Sequence, residues 1–213
     1  MSRGVLVTLE GGEGAGKSTA LATLRERMEG RGLRVCVTRE PGGTPLGEAL
    51  RAIVLDTSQR GLCAESELLL MFAARAQLVR EVIEPALAAG AWVLSDRFTD
   101  ASFAYQGGGR GQPAERIADL EYWAAKALVP DLTLLLDLPV EQGLARAHGR
   151  GEADRFEREH AGFFERVRAA YRQRAAADPT RFRIIDASRD IEQVHHDIVA
   201  TIEGFLDARG VGR

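Results

Sequence analysis

Residues 11–18 read Gly-Gly-Glu-Gly-Ala-Gly-Lys-Ser, a complete G-x-x-x-x-G-K-S pattern. Glycines at these places let successive backbone N–H groups turn inward around a polyphosphate. Lys17 is spaced to reach β- and γ-phosphates, and Ser18 to offer its hydroxyl to Mg²⁺. The flanks supply the context such chemistry needs. Val5-Leu6-Val7-Thr8-Leu9 is a β-branched, apolar run that reads as a buried strand, and Thr19 to Met28 has helical spacing. The helix N-terminus would add its partial positive charge. Gly11, Gly12, Glu13, Gly14, Ala15, Gly16, Lys17, Ser18 and Thr19 therefore read as the binding loop of a nucleoside triphosphate.

Kinases, GTPases, motor ATPases and transporters share such a loop, so other residues must separate them. The chain contains no asparagine, which removes the N-K-x-D element that reads guanine in common GTPases. Arg39, Arg51, Arg75 and Arg97 fall at strand ends or on helices that would border one cleft. Arginine suits bidentate phosphate recognition, and several converging on one place imply a second anion. Asp96 and Asp137 each end an apolar strand. Either could order Mg²⁺ together with Ser18, and the pattern alone does not separate them. Residues 146–158 are glycine-punctuated and dense in charge. They read either as a solvated loop or as a lid that brings arginines, among Arg146, Arg150 and Arg155, to a transferring phosphoryl group. Cys36, Cys63 and the histidines (His148, His160, His195, His196) show neither metal-ligand spacing nor a nucleophile–base arrangement.

These residues need a scaffold, and the periodicity provides one. Candidate strands are 5–10, 33–38, 91–96, 132–137 and 182–186; helical patterns occupy 18–30, 46–55, 65–89, 113–127, 139–147, 157–177 and 190–208. Strands separated by helices of this length predict an α/β fold, a parallel five-stranded sheet with helices on both faces. Residues 1–213 read as one domain, without repeat or linker. Sites in such folds gather at the carboxyl ends of strands, where the loop, Arg39 and the Asp96-Arg97 pair all fall. The net charge of −3 offers no basic field for nucleic acid. No apolar run approaches 18 residues, so no membrane span is expected and a cytoplasmic enzyme is the default.

Three stretches, Thr38-Arg-Glu-Pro-Gly-Gly-Thr44, Asp96-Arg-Phe-Thr-Asp-Ala-Ser-Phe-Ala-Tyr-Gln106 and Gly107-Gly-Gly-Arg-Gly111, together with Glu13 inside the loop, strongly resemble the thymidylate kinase family over residues 4–205. The resemblance implies the P-loop NTPase fold of nucleoside monophosphate kinases, Mg²⁺-dependent transfer of the ATP γ-phosphoryl to dTMP, and a homodimer formed through packed helices. It assigns the metal to Asp96 with Ser18, and catalysis to Lys17, Arg97 and the lid arginines Arg150 and Arg155. Glu13 would accept from the dTMP 3′-OH, with Arg39, Glu40 and Arg51 around the acceptor. Arg75 would meet the thymine edge, Met71 or Phe72 would cover the ring, and Ser102 and Gln106 would complete its polar contacts. Tyr105 would fill the space of a ribose 2′-OH. On pattern alone Phe72, Met71 and Tyr105 read as core. Two positions depart from the family: Met71, where phenylalanine is usual, and Ala101, where serine is frequent. The rival readings are a kinase of another nucleoside monophosphate and a nucleotide-dependent switch or ATPase.

Overall fold

The computed structural model describes residues 3–59, 61–147 and 154–211. Five strands, β1 (Leu6–Gly11), β2 (Val35–Arg39), β3 (Trp92–Asp96), β4 (Leu132–Asp137) and β5 (Phe182–Asp186), form one sheet in the order β2-β3-β1-β4-β5. Every pairing is parallel. Parallel neighbours require crossovers, which helices supply. In chain order these are α1 (Lys17–Gly30), α2 (Pro45–Leu55), α3 (Ala64–Leu78), α4 (Glu84–Ala88), α5 (Thr99–Ser102), α6 (Ala114–Ala124), α7 (Val140–Ala147), α8 (Ala161–Ala177) and α9 (Ile191–Ala208).

The five strands lie within two residues of where the periodicity puts them. The long pattern over 65–89 is a continuous run in which a five-residue π-helical stretch, Val79–Ile83, joins α3 to α4. Two differences concern the site. The pattern over 157–177 starts its helix only at Ala161, because residues 154–159 form a turn in which the Asp154 carboxylate accepts from the backbone N–H groups of Phe156 and Glu157. A helix that the pattern did not show, α5, continues as a π-helical stretch over Phe103–Gly109.

β1 is central and wholly buried. Its odd residues Val7 and Leu9 pack with Leu24 and Met28 of α1 and with Ile198, Ile202 and Leu206 of α9. Its even residue Leu6 packs on the opposite face with Leu78, Val79, Ile83 and Leu87. Both faces of the strand are thus buried, as a parallel sheet covered on both sides demands, with Thr8 and Glu10 the polar residues on the Leu6 side. The carboxyl ends of β1, β2, β3 and β4 then bring Gly11, Arg39, Asp96 and Asp137 to one edge.

Candidate functional site

The phosphate loop connects β1 to α1. Gly16 stands before α1 with φ of 86°, and no side chain caps the first N–H groups of the helix. Those donors are thus left for a ligand, the arrangement that makes a helix N-terminus an anion site. Gly14 lies against α7 so closely that a Cβ there would overlap the Gly143 carbonyl, and a Cβ on Gly143 would stand 2.5 Å from the Glu13 carbonyl oxygen. Lys17 Nζ donates to the carbonyls of Gly11 (3.2 Å) and Gly12 (2.9 Å). Burial, with Arg97 second, pushes Lys17 down to about 8, while Glu13, Asp96 and Glu10 oppose the shift.

Arg97 follows β3 with φ of 69°, a left-handed conformation costing a non-glycine residue on the order of 1–3 kcal/mol. Its surroundings hold it there. Its N–H donates to the Leu9 carbonyl (2.9 Å), its carbonyl accepts from Ser95 Oγ (2.7 Å), and the next N–H, that of Phe98, donates to Glu10 (2.8 Å). The guanidinium fork then reaches Glu13 (3.0 Å), the Gly11 carbonyl (3.0 Å) and the hydroxyls of Tyr105 (2.9 Å) and Tyr171 (3.0 Å). Tyr105 donates its hydroxyl proton to the same Glu13 oxygen at 2.7 Å. Burial alone would raise the Glu13 pKa; Arg97, Lys17 and the Tyr105 hydrogen bond outweigh it and hold the carboxyl below its ordinary value.

One cleft joins the loop to these arginines. Glu13, Gly14, Ala15, Gly16, Lys17, Ser18, Arg39, Glu40, Arg51, Met71, Asp96, Arg97 and Tyr105 all line it. Arg39 is paired with Glu48 at 2.9 Å, and Arg51 donates to the Pro41 carbonyl at 3.1 Å. A second cleft lies across the loop, lined by Gly14, Gly16 and Thr19 with Arg146, Arg189 and Ile191. Gly11 and Gly12 border a smaller cavity beside Asp137.

Asp96 and Asp137, equivalent in the sequence, differ here. Asp137 is held in a two-pronged pair by Arg168 of α8, at 2.7 and 3.0 Å. Asp96 keeps its buried Oδ1 without a partner and shares the cleft with Ser18 and Lys17. Ser18 and Asp96 therefore fit a divalent metal shared with phosphate oxygens and water. Among the described residues no group of three His, Cys, Asp or Glu forms a cage, and Mg²⁺ bound with phosphates needs none.

Besides Gly11, Gly12 and Thr19, five predicted positions among the described residues do not line the main cleft. Phe72 is 2% exposed and packs with Leu68 and Ile117, under the Arg75 guanidinium at 4.4 Å, so Met71 is the one of the pair on the cleft wall. Arg75 and Ser102 face each other: Arg75 donates to Ser102 Oγ (2.9 Å), to Glu40 (2.8 Å) and to the Phe98 carbonyl (3.1 Å). A guanidinium buried this deeply needs those acceptors. Gln106 is wholly buried and donates to Glu67 at 2.9 Å. Arg155, expected among the transferring-phosphate cations, has its guanidinium drawn away to Glu67 (2.6 Å) and the Val54 carbonyl (2.7 Å). Arg150 lies outside the described residues.

The sequence reading missed Glu10, Tyr171 and Glu67. Tyr171 donates to Glu10 at 2.6 Å, linking α8 to the rear of Arg97. Burial, with Asp100 second, pushes Glu10 up to about 8 against Arg97 and its two donors. A signal existed for Glu10, a lone carboxylate in an apolar strand; none marked Tyr171.

A family model described as thymidylate kinase matches residues 9–198. A thymidylate kinase of Ectopseudomonas mendocina is 57% identical over 205 residues, covering 96% of this chain and 98% of that protein. One from Alkalilimnicola ehrlichii is 58% identical, covering 91% and 90% respectively. The crystal structure of thymidylate kinase from Ehrlichia chaffeensis superposes with a TM-score of 0.75 at 30% identity, covering 94% of this chain and 99% of that one.

Proposed function

The chain belongs to the thymidylate kinase family and phosphorylates dTMP with ATP in nucleotide biosynthesis, and from that premise we propose how its residues divide the work. The observation that carries the proposal is the single cleft shared by the phosphate loop and the Arg39, Arg51 and Arg97 side. Donor and acceptor phosphates would meet there without either crossing open water.

The loop from Gly11 to Thr19 takes the ATP phosphates, with Lys17 leaving the Gly11 and Gly12 carbonyls for the β- and γ-oxygens. The nucleoside of ATP lies in the second cleft, between Thr19, Arg146 and Ile191. On the acceptor side Arg97 turns its fork to the dTMP phosphate, helped by Arg39 and Arg51, and Glu13 takes a sugar hydroxyl. Met71 covers the thymine, and Tyr105 closes the space a 2′-OH would need. Arg75 and Ser102 support the pocket from behind. An acceptor phosphate oxygen attacks in line; being anionic already, it needs no general base. Mg²⁺, held through Ser18 and Asp96, would neutralise charge on the β- and γ-phosphates. Arg150 supplies a further cation to the transferring group.

We assign residues 1–213 to one domain, a cytoplasmic enzyme acting as a homodimer. Leu69 of α3 and Tyr122 and Trp123 of α6, 58%, 74% and 78% exposed, are the apolar surface that supports a second copy. A molar mass twice that of the chain in light scattering checks it. The reaction is tested by coupled measurement of ADP formation from Mg·ATP with dTMP, with no acceptor, and with dUMP, UMP, AMP, GMP and CMP. Strong, selective dependence on dTMP is the expected outcome. ATP loss indifferent to dTMP would overturn the acceptor assignment.

A further inference from the structure

Glu67 of α3 is 1% exposed, yet it is neither in the cleft nor part of the phosphate machinery. A carboxylate buried so completely is costly unless several donors compensate it. Four hydrogen bonds from three residues converge on it. Gln106 donates to Oε1 at 2.9 Å, Arg155 to Oε2 at 2.6 Å, and Arg110 to both oxygens at 3.3 and 3.1 Å. Arg110 also binds Glu159, so two guanidinium groups balance two carboxylates.

The partners are chain neighbours of residues that line the acceptor side of the cleft. Arg155 sits between Asp154 and Phe156, Gln106 follows Tyr105, and Glu67 lies one helical turn before Met71. Arg155 also ties down the end of α2: its backbone N–H donates to the Leu55 carbonyl and its Nε to that of Val54, and Leu55 too lines the cleft. Tyr105 and Phe156 meet edge to face with ring centroids 5.7 Å apart. Three stretches far apart in sequence thus form one pocket wall, and Glu67 is the common point behind them.

We propose that Glu67 is a positioning residue for the acceptor pocket: by holding Arg155, Arg110 and Gln106 it sets the Tyr105–Phe156 wall against Met71, and so governs how tightly and how selectively the deoxynucleotide is held. The proposal rests on the assignment of this cleft to dTMP. It also gives Arg155 a task other than neutralising the transferring phosphoryl group.

The test is steady-state kinetics of the full chain as wild type, Glu67→Gln, Arg155→Ala and the double variant. Acceptors are dTMP and its ribose counterpart, 5-methyluridine 5′-monophosphate, with Mg·ATP varied separately. Glu67→Gln should raise KM for dTMP about fivefold to tenfold, the scale of one ordinary hydrogen bond, and lower the preference for deoxyribose. KM for ATP should stay within about twofold and saturated kcat within about threefold, a split that simple loss of fold would not produce. Arg155→Ala should show the same pattern, and the double variant should be no worse than the worse single one, because both break one contact. Should Glu67→Gln not fold, Arg155→Ala, at the rim of the cluster, gives the same split on its own. An unchanged KM for dTMP in Arg155→Ala, a kcat collapse at constant KM, or multiplying effects in the double variant would overturn the proposal. Those results presuppose a wild type that depends on dTMP; a wild type that does not would overturn the function reading itself.

Discussion

Strands β3 and β4 flank β1 on its two sides, and each ends in an aspartate beside the phosphate loop. Asp96 borders the large cleft and Asp137 the small cavity against Gly11 and Gly12, so closeness to the loop does not distinguish them. What differs is the partner. α8 brings Arg168 to both oxygens of Asp137, while one oxygen of Asp96 is buried and unpaired. A folded chain seldom leaves a buried carboxylate oxygen unmatched. Beside a phosphate loop that unmatched oxygen is what supports the proposed metal role of Asp96, whereas the arginine supplied by another helix ties Asp137 into the frame.

The largest expected effect follows from breaking that difference. Asp96→Asn keeps the shape and removes the charge. It should lower kcat/KM about 10- to 100-fold, as loss of a group orienting a metal or its waters does, and raise the Mg²⁺ concentration needed for half-maximal rate. Asp137→Asn should leave both within about twofold. Equal losses in the two variants, measured by ADP formation across a Mg²⁺ titration, would erase the distinction.

A smaller effect sharpens the comparison through pH. Lys17 is pushed down to about 8, and Asp96 is one of the carboxylates resisting the fall. Lys17 must be charged to meet phosphates, so kcat/KM for ATP, which reports the free enzyme, should decline as pH rises through about 8. Taking away the Asp96 charge disfavours the ammonium further, and the alkaline limb of Asp96→Asn should move to lower pH. In Asp137→Asn it should stay where it is. A limb that does not move in Asp96→Asn would mean that the carboxylate and the lysine do not feel each other across the cleft.

Why the sequence separates some of these roles and not others is visible in particular residues. The phosphate loop was legible because its chemistry is local: the glycines, Lys17 and Ser18 act through neighbours in the chain. The strands were legible because burial on both faces makes them continuous apolar runs. The helical stretch from Thr99 to Gly109 was not, since Gly107-Gly108-Gly109 disfavours a helix. Contact with α8 decides the matter: a Cβ on Gly108 would stand 2.7 Å from Ala170 Cβ, and one on Gly109 would strike the Phe163 ring. These glycines permit close packing rather than a turn. The contacts of Arg155 and Gln106 were not legible for a related reason. Their partner, Glu67, lies 88 and 39 positions away, and spacing carries no information about it. Arg75, Phe72 and Ser102 belong to the right region but to its supporting layer, a difference of depth that residue types do not encode.

The smallest expected effect concerns the frame itself. The Arg168–Asp137 pair is partly buried, with 27% and 16% of the side chains exposed, and its geometry is two-pronged. Such a pair contributes about 0.5–1 kcal/mol. Arg168→Ala should cost about that much in urea unfolding, with an unchanged slope. It also leaves Asp137 as Asp96 now is, a carboxylate beside the loop without its partner. If pairing is what assigns Asp137 to the frame, Asp137→Asn added to Arg168→Ala should recover part of the lost stability, because the uncompensated charge is gone. It should also leave the Mg²⁺ dependence of the rate unchanged. Two losses that simply add would show that Asp137 is held by more than Arg168. A shifted Mg²⁺ requirement in Arg168→Ala, restored by the second change, would show that the freed aspartate competes with Asp96 for the metal, so that the arginine keeps the two sides of β1 chemically distinct.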